Sequence, residues 1–172
     1  MAEPLRSFAP LLPPGTPSPD SARILVLGSM PGRASLDARQ YYAHPRNAFW
    51  PILAAWCGVA VDAPYTARVD ALARAGIALW DVLAQCRRPG SLDSAIDLGS
   101  ARPNAIGALL DTHPDIARVC FNGGAAADLY RRHRLPGPPR VELVTLPSTS
   151  PAHAGMTLAE KTRRWREALA RR

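Results

Sequence analysis

Four short aliphatic runs, separated by stretches with helical spacing, are the feature that most constrains how this 172-residue chain can fold. The runs are RILVLGS at 23–29, IALWDVL at 77–83, ARVCFNG at 117–123 and VELVTLPS at 141–148. Unbroken aliphatic runs of this length are typical of strands that are buried on both faces of a parallel sheet. Apolar residues recur at helical spacing at 48–58, 65–76, 104–113, 124–134 and 157–172. The alternation predicts an α/β fold in which right-handed crossovers place helices on both faces of a parallel sheet.

The length of the chain predicts one domain, residues 1–172, with a single hydrophobic core. Prolines are concentrated before the first aliphatic run. We therefore expect residues 1–20 to form a proline-rich arm that lies extended across the body, rather than a regular element. The three cysteines are far apart in apolar surroundings, which indicates reduced, buried thiols rather than a disulfide framework.

The charge of the chain favours polyanionic partners. Lys and Arg number 21 against 14 Asp and Glu, a net charge of +7, and such a balance is compatible with nucleic-acid binding. The basic residues of the last helical stretch fit a solvated face as well as a phosphate-contacting one. No run is long enough to span a membrane, and the N-terminus lacks the apolar core of a signal peptide, so we expect a cytoplasmic protein without a membrane partner.

Unusual polar motifs follow three of the four predicted strands, at the edge where parallel sheets bind ligands. GSMPG occupies Gly28–Gly32, NGG begins at Asn122, and PSTSPAHA begins at Pro147. The glycines of the first loop allow a close backbone approach to a phosphate or a base edge. The loop is neither a G-x-G-x-x-G fingerprint nor a Walker loop, which disfavours a Rossmann-type nucleotide-binding domain. A serine hydrolase is disfavoured because no G-x-S-x-G elbow is present, and the cysteine and histidine spacings disfavour a metal site.

The segment QYYAHPRNAFW at 40–50 adds aromatic and amide groups after the first loop. Tyr41 and Tyr42 offer flat surfaces on which an extruded nucleobase could stack. Packing in the core is the alternative, and it is favoured for Tyr41. Asn47 directly precedes a helical stretch, where asparagine is a common N-cap. A helix start can also present the asparagine amide to a water molecule.

Taken in order, LGSMPG, QYYAHPRNAFW, FNGG and LPSTSPAHA resemble the uracil-DNA glycosylase superfamily, and most closely its hypoxanthine-DNA (deoxyinosine) glycosylase branch. The resemblance implies a compact α/β/α sandwich around a four-stranded, mainly parallel sheet. It also implies a monomeric enzyme that excises a deaminated base from DNA without a metal or an organic cofactor. A glycosylase for uracil or mismatches and an inactive DNA-binding or nucleotide-binding relative remain alternatives.

The resemblance assigns roles to individual residues. Uracil-excising branches place Asp or Asn where this chain has Met30, so the water-orienting role falls to Asn47, the expected catalytic residue. Tyr42 matches the aromatic residue on which the base stacks, and Asn122 matches the residue that hydrogen-bonds the base. The expected base-binding residues are Gly28, Ser29, Met30, Pro31, Gly32, Tyr42 and Asn122.

The last motif, Leu146–Ala154, matches the loop that presses into the minor groove. Many uracil-excising relatives begin this motif with a histidine that stabilises the departing base, and here Leu146 replaces it. His153 lies later in the motif, and its role is open between a contact to DNA or base and an exposed residue without a role. The expected DNA-binding residues are Ser35, His44, Ser148, Thr149, Ser150, Pro151 and His153.

The side-chain amide of Asn122 has a physical basis for selecting deaminated bases. Hypoxanthine and uracil share an edge with a carbonyl beside an N–H, which an amide can pair at two points, whereas adenine and cytosine present the reverse pattern. A freely rotating amide would accept both patterns. Selectivity therefore requires a neighbour that fixes the amide orientation, and the sequence does not reveal one.

Overall fold

The computed structural model describes residues 3–13 and 21–171. Its strands are β1 Leu5–Arg6, β2 Ile24–Gly28, β3 Ile77–Asp81, β4 Leu83–Arg87, β5 Asp97–Pro103, β6 Arg118–Asn122 and β7 Glu142–Leu146. Its α-helices are α1 Arg33–Ala38, α2 Phe49–Cys57, α3 Tyr65–Arg74, α4 Ile106–Thr112, α5 Gly124–Arg132 and α6 Leu158–Ala170.

The four predicted strands form one parallel sheet in the order β3-β2-β6-β7. Alternate residues of β2 enter two hydrophobic clusters on opposite faces of this sheet. Leu25 and Leu27 pack with α4 and α5, and Ile24 and Val26 pack with α2, α3 and α6. The prediction of a three-layer α/β/α sandwich with a four-stranded parallel sheet is therefore confirmed.

A second, antiparallel sheet of order β1-β4-β5 was not predicted from the sequence. The run 77–83 was read as one strand, but it ends at Asp81, and β4 begins at Leu83 in the other sheet. Only Val82 separates the two strands, so the pattern contained no turn signal. Helix α1 was also missed, because six residues are too few for helical spacing to be recognised.

The described part of the N-terminal arm crosses both sheets. Leu5–Arg6 pairs with β4, and Leu11 forms an antiparallel bridge to Leu79 of β3. The extended course was predicted, whereas the short strand within it was not. Residues 1, 2 and 14–20 of the predicted arm lie outside the described residues, as does residue 172.

The helical stretch predicted at 157–172 is present as α6. Helix α6 begins at a capping box, in which Thr157 and Glu160 exchange hydrogen bonds. The thiols of Cys57, Cys86 and Cys120 are free, and the last two are buried. Within residues 3–13 and 21–171, no helix is both long and apolar enough to cross a membrane.

Candidate active site

A cavity of about 140 Å³ opens at the carboxyl ends of the parallel strands. Its lining includes all of the sequence-predicted base-binding residues, namely Gly28, Ser29, Met30, Pro31, Gly32, Tyr42 and Asn122, together with the predicted catalytic Asn47. Ser35, His44, Ser148, Thr149, Ser150 and Pro151 also line it, as do Asp81 and Asp93, which the sequence did not suggest. The fold thus brings four separated motifs to one edge of the sheet.

The last residue of β2, Gly28, leaves the space in which side chains from neighbouring elements meet. A Cβ at Gly28 would stand 2.6 Å from Oδ1 of Asp81 and 3.1 Å from the hydroxyl oxygen of Tyr42. The first distance is too short for atoms that are not bonded, so a larger residue at position 28 would displace the Asp81 carboxyl, and glycine is favoured here for space rather than for its backbone angles. Asp81 pairs with Gly28 in register, and Asn122 ends the strand on the other side of β2.

Thr149 fixes the amide orientation of Asn122. The backbone N–H of Thr149 donates to Oδ1 of Asn122 at 2.9 Å, and Nδ2 of Asn122 donates to Oγ1 of Thr149 at 2.8 Å. A backbone N–H can only donate, so a flipped amide would place two donors against each other. The remaining hydrogen on Nδ2 and the remaining lone pair on Oδ1 point to opposite sides of the amide, so each can contact a ligand at one point.

The loop that carries Thr149 reaches Asn122 because Gly123 lies between strand β6 and helix α5. Gly123 has a φ of 97°, and a Cβ there would stand 2.8 Å from the Cβ of Ser148. Both the left-handed backbone and the close approach therefore require glycine. Thr149 itself is 1% exposed, and its carbonyl accepts from the N–H of Ala48, just before α2.

Tyr42 and Tyr41 play different structural parts. The ring of Tyr42 lines the cavity and stacks on Phe49 at a centroid distance of 3.9 Å. Burial raises the pKa of Tyr42, the Asp81 carboxyl raises it further, and the Asn122 side chain opposes the shift. Among the described residues, the Tyr42 hydroxyl has no hydrogen-bond partner of good geometry. Tyr41 packs in the core, and its hydroxyl donates to the carbonyl of Ala9.

The amide of Asn47 is oriented by the start of helix α2. Its Oδ1 accepts a hydrogen bond at 2.9 Å from the N–H of Phe49, the first residue of α2, whereas the N-cap position itself is Ala48, one residue later than expected. A carbonyl oxygen has two lone pairs, and this bond leaves one for a water molecule. Asn47 is half-buried in the lining of the cavity. The hydrogen bond to Phe49 and water binding are therefore compatible.

The segment after β4 supports the loop Gly28–Gly32 from below, which sequence reasoning missed. Arg88 is 3% exposed, and its guanidinium donates to the carbonyl of Pro31 at 2.6 Å. Asp93 accepts from Oγ of Ser29 at 2.6 Å and lies 3.8 Å from Arg88. Burial raises the pKa of Asp93, while Ser29 and Arg88 oppose the rise. The Pro-Gly turn in RRPGSLD was the available sequence signal.

The side chain of Met30 packs in the core cluster beneath the loop. Met30 thus reaches the cavity lining as part of the loop, while its thioether fills space among apolar side chains. Leu146 is buried in the cluster on the other face of the sheet. Neither position can supply a polar side chain to the cavity.

Asp81 is the most unusual group in the cavity. It ends strand β3, is 3% exposed, and its Oδ2 has no hydrogen-bond partner in the described part of the chain. Burial raises the pKa of Asp81 to about 8; the nearby Asp93 adds to the rise and Arg88 opposes it. An aspartate in an aliphatic run was a signal that the sequence analysis left unused.

The predicted DNA-binding residues fall into three groups. Ser35 and Thr149 are buried, and Ser35 accepts from the N–H of Ala43, so direct DNA contact by these two side chains does not fit their positions. His44, Ser148, Ser150 and Pro151 lie at the rim of the cavity at intermediate exposure. His153 is exposed and lies outside the cavity, in a neighbouring depression beside α6.

Residues 14–170 match the family described as the Uracil DNA glycosylase superfamily. The chain belongs to this superfamily. A hypoxanthine DNA glycosylase of Methanosarcina acetivorans is 34% identical over 135 residues, which are 78% of this chain and 82% of that protein. A hypoxanthine DNA glycosylase of Methanosarcina barkeri is 38% identical over 105 residues, 60% of this chain. That match spans 65% of the M. barkeri protein, slightly less than two thirds of its length.

A solved structure shares the fold of this superfamily member. It is the solution NMR structure of a candidate uracil DNA glycosylase from M. acetivorans, with a TM-score of 0.73 and 29% identity over 98% of this chain and 100% of that chain. The predicted resemblance to the superfamily and to its hypoxanthine branch is thus confirmed. Within residues 3–13 and 21–171, no three His, Cys, Asp or Glu side chains are grouped as a metal site would require.

Proposed function

We propose that this chain is a monofunctional DNA glycosylase that takes a deaminated base, hypoxanthine foremost, out of DNA and hydrolyses its N-glycosidic bond, leaving an abasic site. Family membership supports the glycosylase activity, and the names of both Methanosarcina relatives support hypoxanthine as the base. The observation that carries the proposal is the Asn122 amide, which Thr149 holds at two points in the cavity.

Base recognition follows from the orientation of that amide. The hydrogen left on Nδ2 of Asn122 can donate to the carbonyl of a deaminated base. Adenine presents an amino group in place of that carbonyl, so donor meets donor. The sequence predicts that a neighbour must fix the orientation of the Asn122 amide but does not identify it. On this proposal, that neighbour is Thr149.

The aromatic pair of Tyr42 and Phe49 gives the extruded base a platform. A base that leaves the helix loses its stacked neighbours, and stacking on an aromatic ring offsets part of that loss. Phe49 covers one face of Tyr42 at 3.9 Å, which braces the ring. The base stacks on the face that Phe49 leaves uncovered.

The chemical step needs a positioned water rather than a strong nucleophile, because the sugar becomes oxocarbenium-like as the bond breaks. Oδ1 of Asn47, held by the N–H of Phe49, accepts a hydrogen bond from that water and keeps it below the sugar. Backbone N–H groups of Gly28–Gly32 face the departing base, where negative charge accumulates. His44, Ser148, Ser150 and Pro151 at the rim contact the DNA strand, favoured by the net charge of +7.

The test is incubation with single-stranded and duplex oligonucleotides that carry one hypoxanthine, uracil, xanthine or mismatched thymine, followed by alkaline cleavage of abasic sites. We expect strand scission at hypoxanthine, in the absence of added metal. No scission on any of these substrates would refute the glycosylase proposal. A monomeric state and a cytoplasmic location stay predictions, and sedimentation of the enzyme with and without DNA checks the first.

A further inference from the structure

Asp81 is a buried acid with one carboxyl oxygen, Oδ2, that has no hydrogen-bond partner in the described part of the chain. Its Oδ2 is shielded from solvent and without a partner, and its Oδ1 lies against the open face of Gly28. Buried polar groups are almost always hydrogen-bonded, and an orphaned one costs stability. Because the same cavity holds Asn122 and Asn47, a ligand bound there is the available partner.

The charges around Asp81 favour its neutral form. Asp93, on the segment after β4, repels a negative charge on Asp81, and the hydroxyls of Tyr41 and Tyr42 lie on the segment after α1. Arg88 opposes this effect, but its guanidinium is committed to the loop carbonyls and to Asp93. With burial, these groups hold the pKa of Asp81 near 8. A carboxylic acid that keeps its proton at neutral pH is a hydrogen-bond donor.

The position of Asp81 relative to Asn122 determines which edge of a bound base Asp81 faces. The two residues end β3 and β6, which flank β2 on opposite sides, and neighbouring strands lie about 4.8 Å apart. The two backbones are therefore about 10 Å apart, with the bare Gly28 between them. A base lying over Gly28 with its carbonyl and N–H edge on Asn122 turns its other edge toward Asp81.

We propose that protonated Asp81 is a catalytic acid that gives its proton to a ring nitrogen of the departing purine, an inference that rests on the proposed glycosylase function. Hypoxanthine has two ring nitrogens with free lone pairs outside its carbonyl and N–H edge, N3 on the far side of the ring and N7 beside the carbonyl. Uracil has no such nitrogen, since N3 carries hydrogen and N1 carries the sugar. Asp81 thus specialises the cavity for purines.

The step balances as a hydrolysis. The electron pair of the C1′–N9 bond leaves with the base, and the Asp81 proton goes to the ring nitrogen, so the base departs neutral. The water held by Asn47 bonds to C1′ and loses its surplus proton to solvent, from which Asp81 is reprotonated. The role that a histidine serves in uracil-excising relatives moves from position 146 to the end of β3.

The first test is the pH dependence of single-turnover hypoxanthine excision at saturating enzyme, which isolates the chemical step from binding. The wild-type rate should be flat below about pH 8 and fall above it as Asp81 ionises. Asp81→Asn, which keeps shape and neutrality, should lose about 100-fold at pH 7 and show no such fall. The matched control is Asp62→Asn, at an exposed turn after α2, which should keep the wild-type rate and profile.

The second test removes the acceptor from the substrate. With 3-deaza- and 7-deazahypoxanthine, the wild-type rate on one analogue should fall to that of Asp81→Asn on hypoxanthine, and the substitution should add no further loss. Equal 100-fold losses on hypoxanthine and both analogues would overturn the proton transfer. So would an Asp81→Asn variant that keeps the wild-type rate.

A third measurement does not depend on any variant folding. Carbon-13 NMR of the aspartate carboxyls in the DNA-free protein should show one group that titrates near pH 8. Asp93→Asn should move that titration to lower pH, because the repelling charge is gone. If all carboxyls titrate below pH 5, Asp81 is ionised at neutral pH and the inference fails, whereas loss of wild-type excision on every substrate would refute the glycosylase function itself.

Discussion

The two-point contact between Thr149 and Asn122 should set the base selectivity, and Thr149→Val tests it. Valine matches threonine in shape but removes Oγ1, so Nδ2 of Asn122 loses an acceptor at 2.8 Å, while the backbone N–H bond to Oδ1 remains. A buried hydrogen bond contributes about 1 kcal/mol. The preference of the amide for its working orientation should fall by that amount, which corresponds to about fivefold in an equilibrium ratio.

The assay compares kcat/KM for hypoxanthine with that for adenine in otherwise identical duplexes. We expect Thr149→Val to reduce the hypoxanthine preference about fivefold. Thr149→Ser, which keeps the hydroxyl and deletes only the methyl group, should stay within about twofold of wild type. Thermal melting of each variant separates a loss of selectivity from a loss of folded protein.

Two results would refute the reasoning. If Val and Ser reduce selectivity equally, the methyl group rather than the hydroxyl matters, and packing explains the effect. If neither substitution changes selectivity, the backbone N–H of Thr149 alone fixes the amide, or Asn122 does not read the base. Asn122→Ala decides between these, because it should abolish the preference only when the amide reads the base.

Three further perturbations have defined outcomes. Asn47→Ala should lower single-turnover excision about 100-fold without weakening DNA binding, and cost about 1 kcal/mol in urea unfolding through the lost hydrogen bond to the N–H of Phe49. Tyr42→Leu should weaken binding of the flipped base by about 2 kcal/mol, measured with an abasic-site control duplex. Asp81→Asn should be more stable than wild type above pH 4, with a gain that grows to about pH 8. The raised pKa means that the folded state retains a proton that the unfolded chain has released, so wild-type stability falls across this window.

The parallel sheet was predictable because β2, β3 and β6 are buried almost throughout and have continuous apolar runs, while the edge strand β7 keeps an aliphatic run although it is mostly exposed. The antiparallel sheet was not, because β5 is mostly exposed and reads as polar loop. Strand β4 follows β3 after one residue, so composition alone could not show the change of sheet. The two-residue strand β1 depends on pairing with β4, a contact between residues about 80 positions apart.

The candidate site likewise contains residues that the sequence predicted and residues that it did not. Asn47, Tyr42 and Asn122 lie on the motifs that carry the resemblance, and these motifs come together at one cavity, although the roles of the three residues stay predictions. The neighbours that tune them could not, since the Thr149 contact spans 27 positions and the Arg88 contact to Pro31 spans 57. Local sequence patterns do not indicate contacts between residues that are this far apart along the chain. Asp81 was overlooked because the apolar residues around it were assigned to a buried strand, and its carboxyl group was not considered as a functional group.

Met30 and Leu146 are apolar residues at positions where the resemblance to uracil-excising branches predicts polar ones. The arrangement of the strand ends explains both replacements together. Asp81, Gly28 and Asn122 lie side by side on the same face of the sheet, so a polar group supplied from any strand end reaches the same cavity. The chemistry of glycosidic hydrolysis requires one water acceptor and one group that neutralises the base, but it does not require that they come from fixed motifs. With the water acceptor at the start of α2 and an acid at the end of β3, the positions vacated at 30 and 146 are free to join the core. On the proposed roles, the shift also favours purines, because an acid opposite Asn122 has an acceptor to act on in a purine and none in uracil.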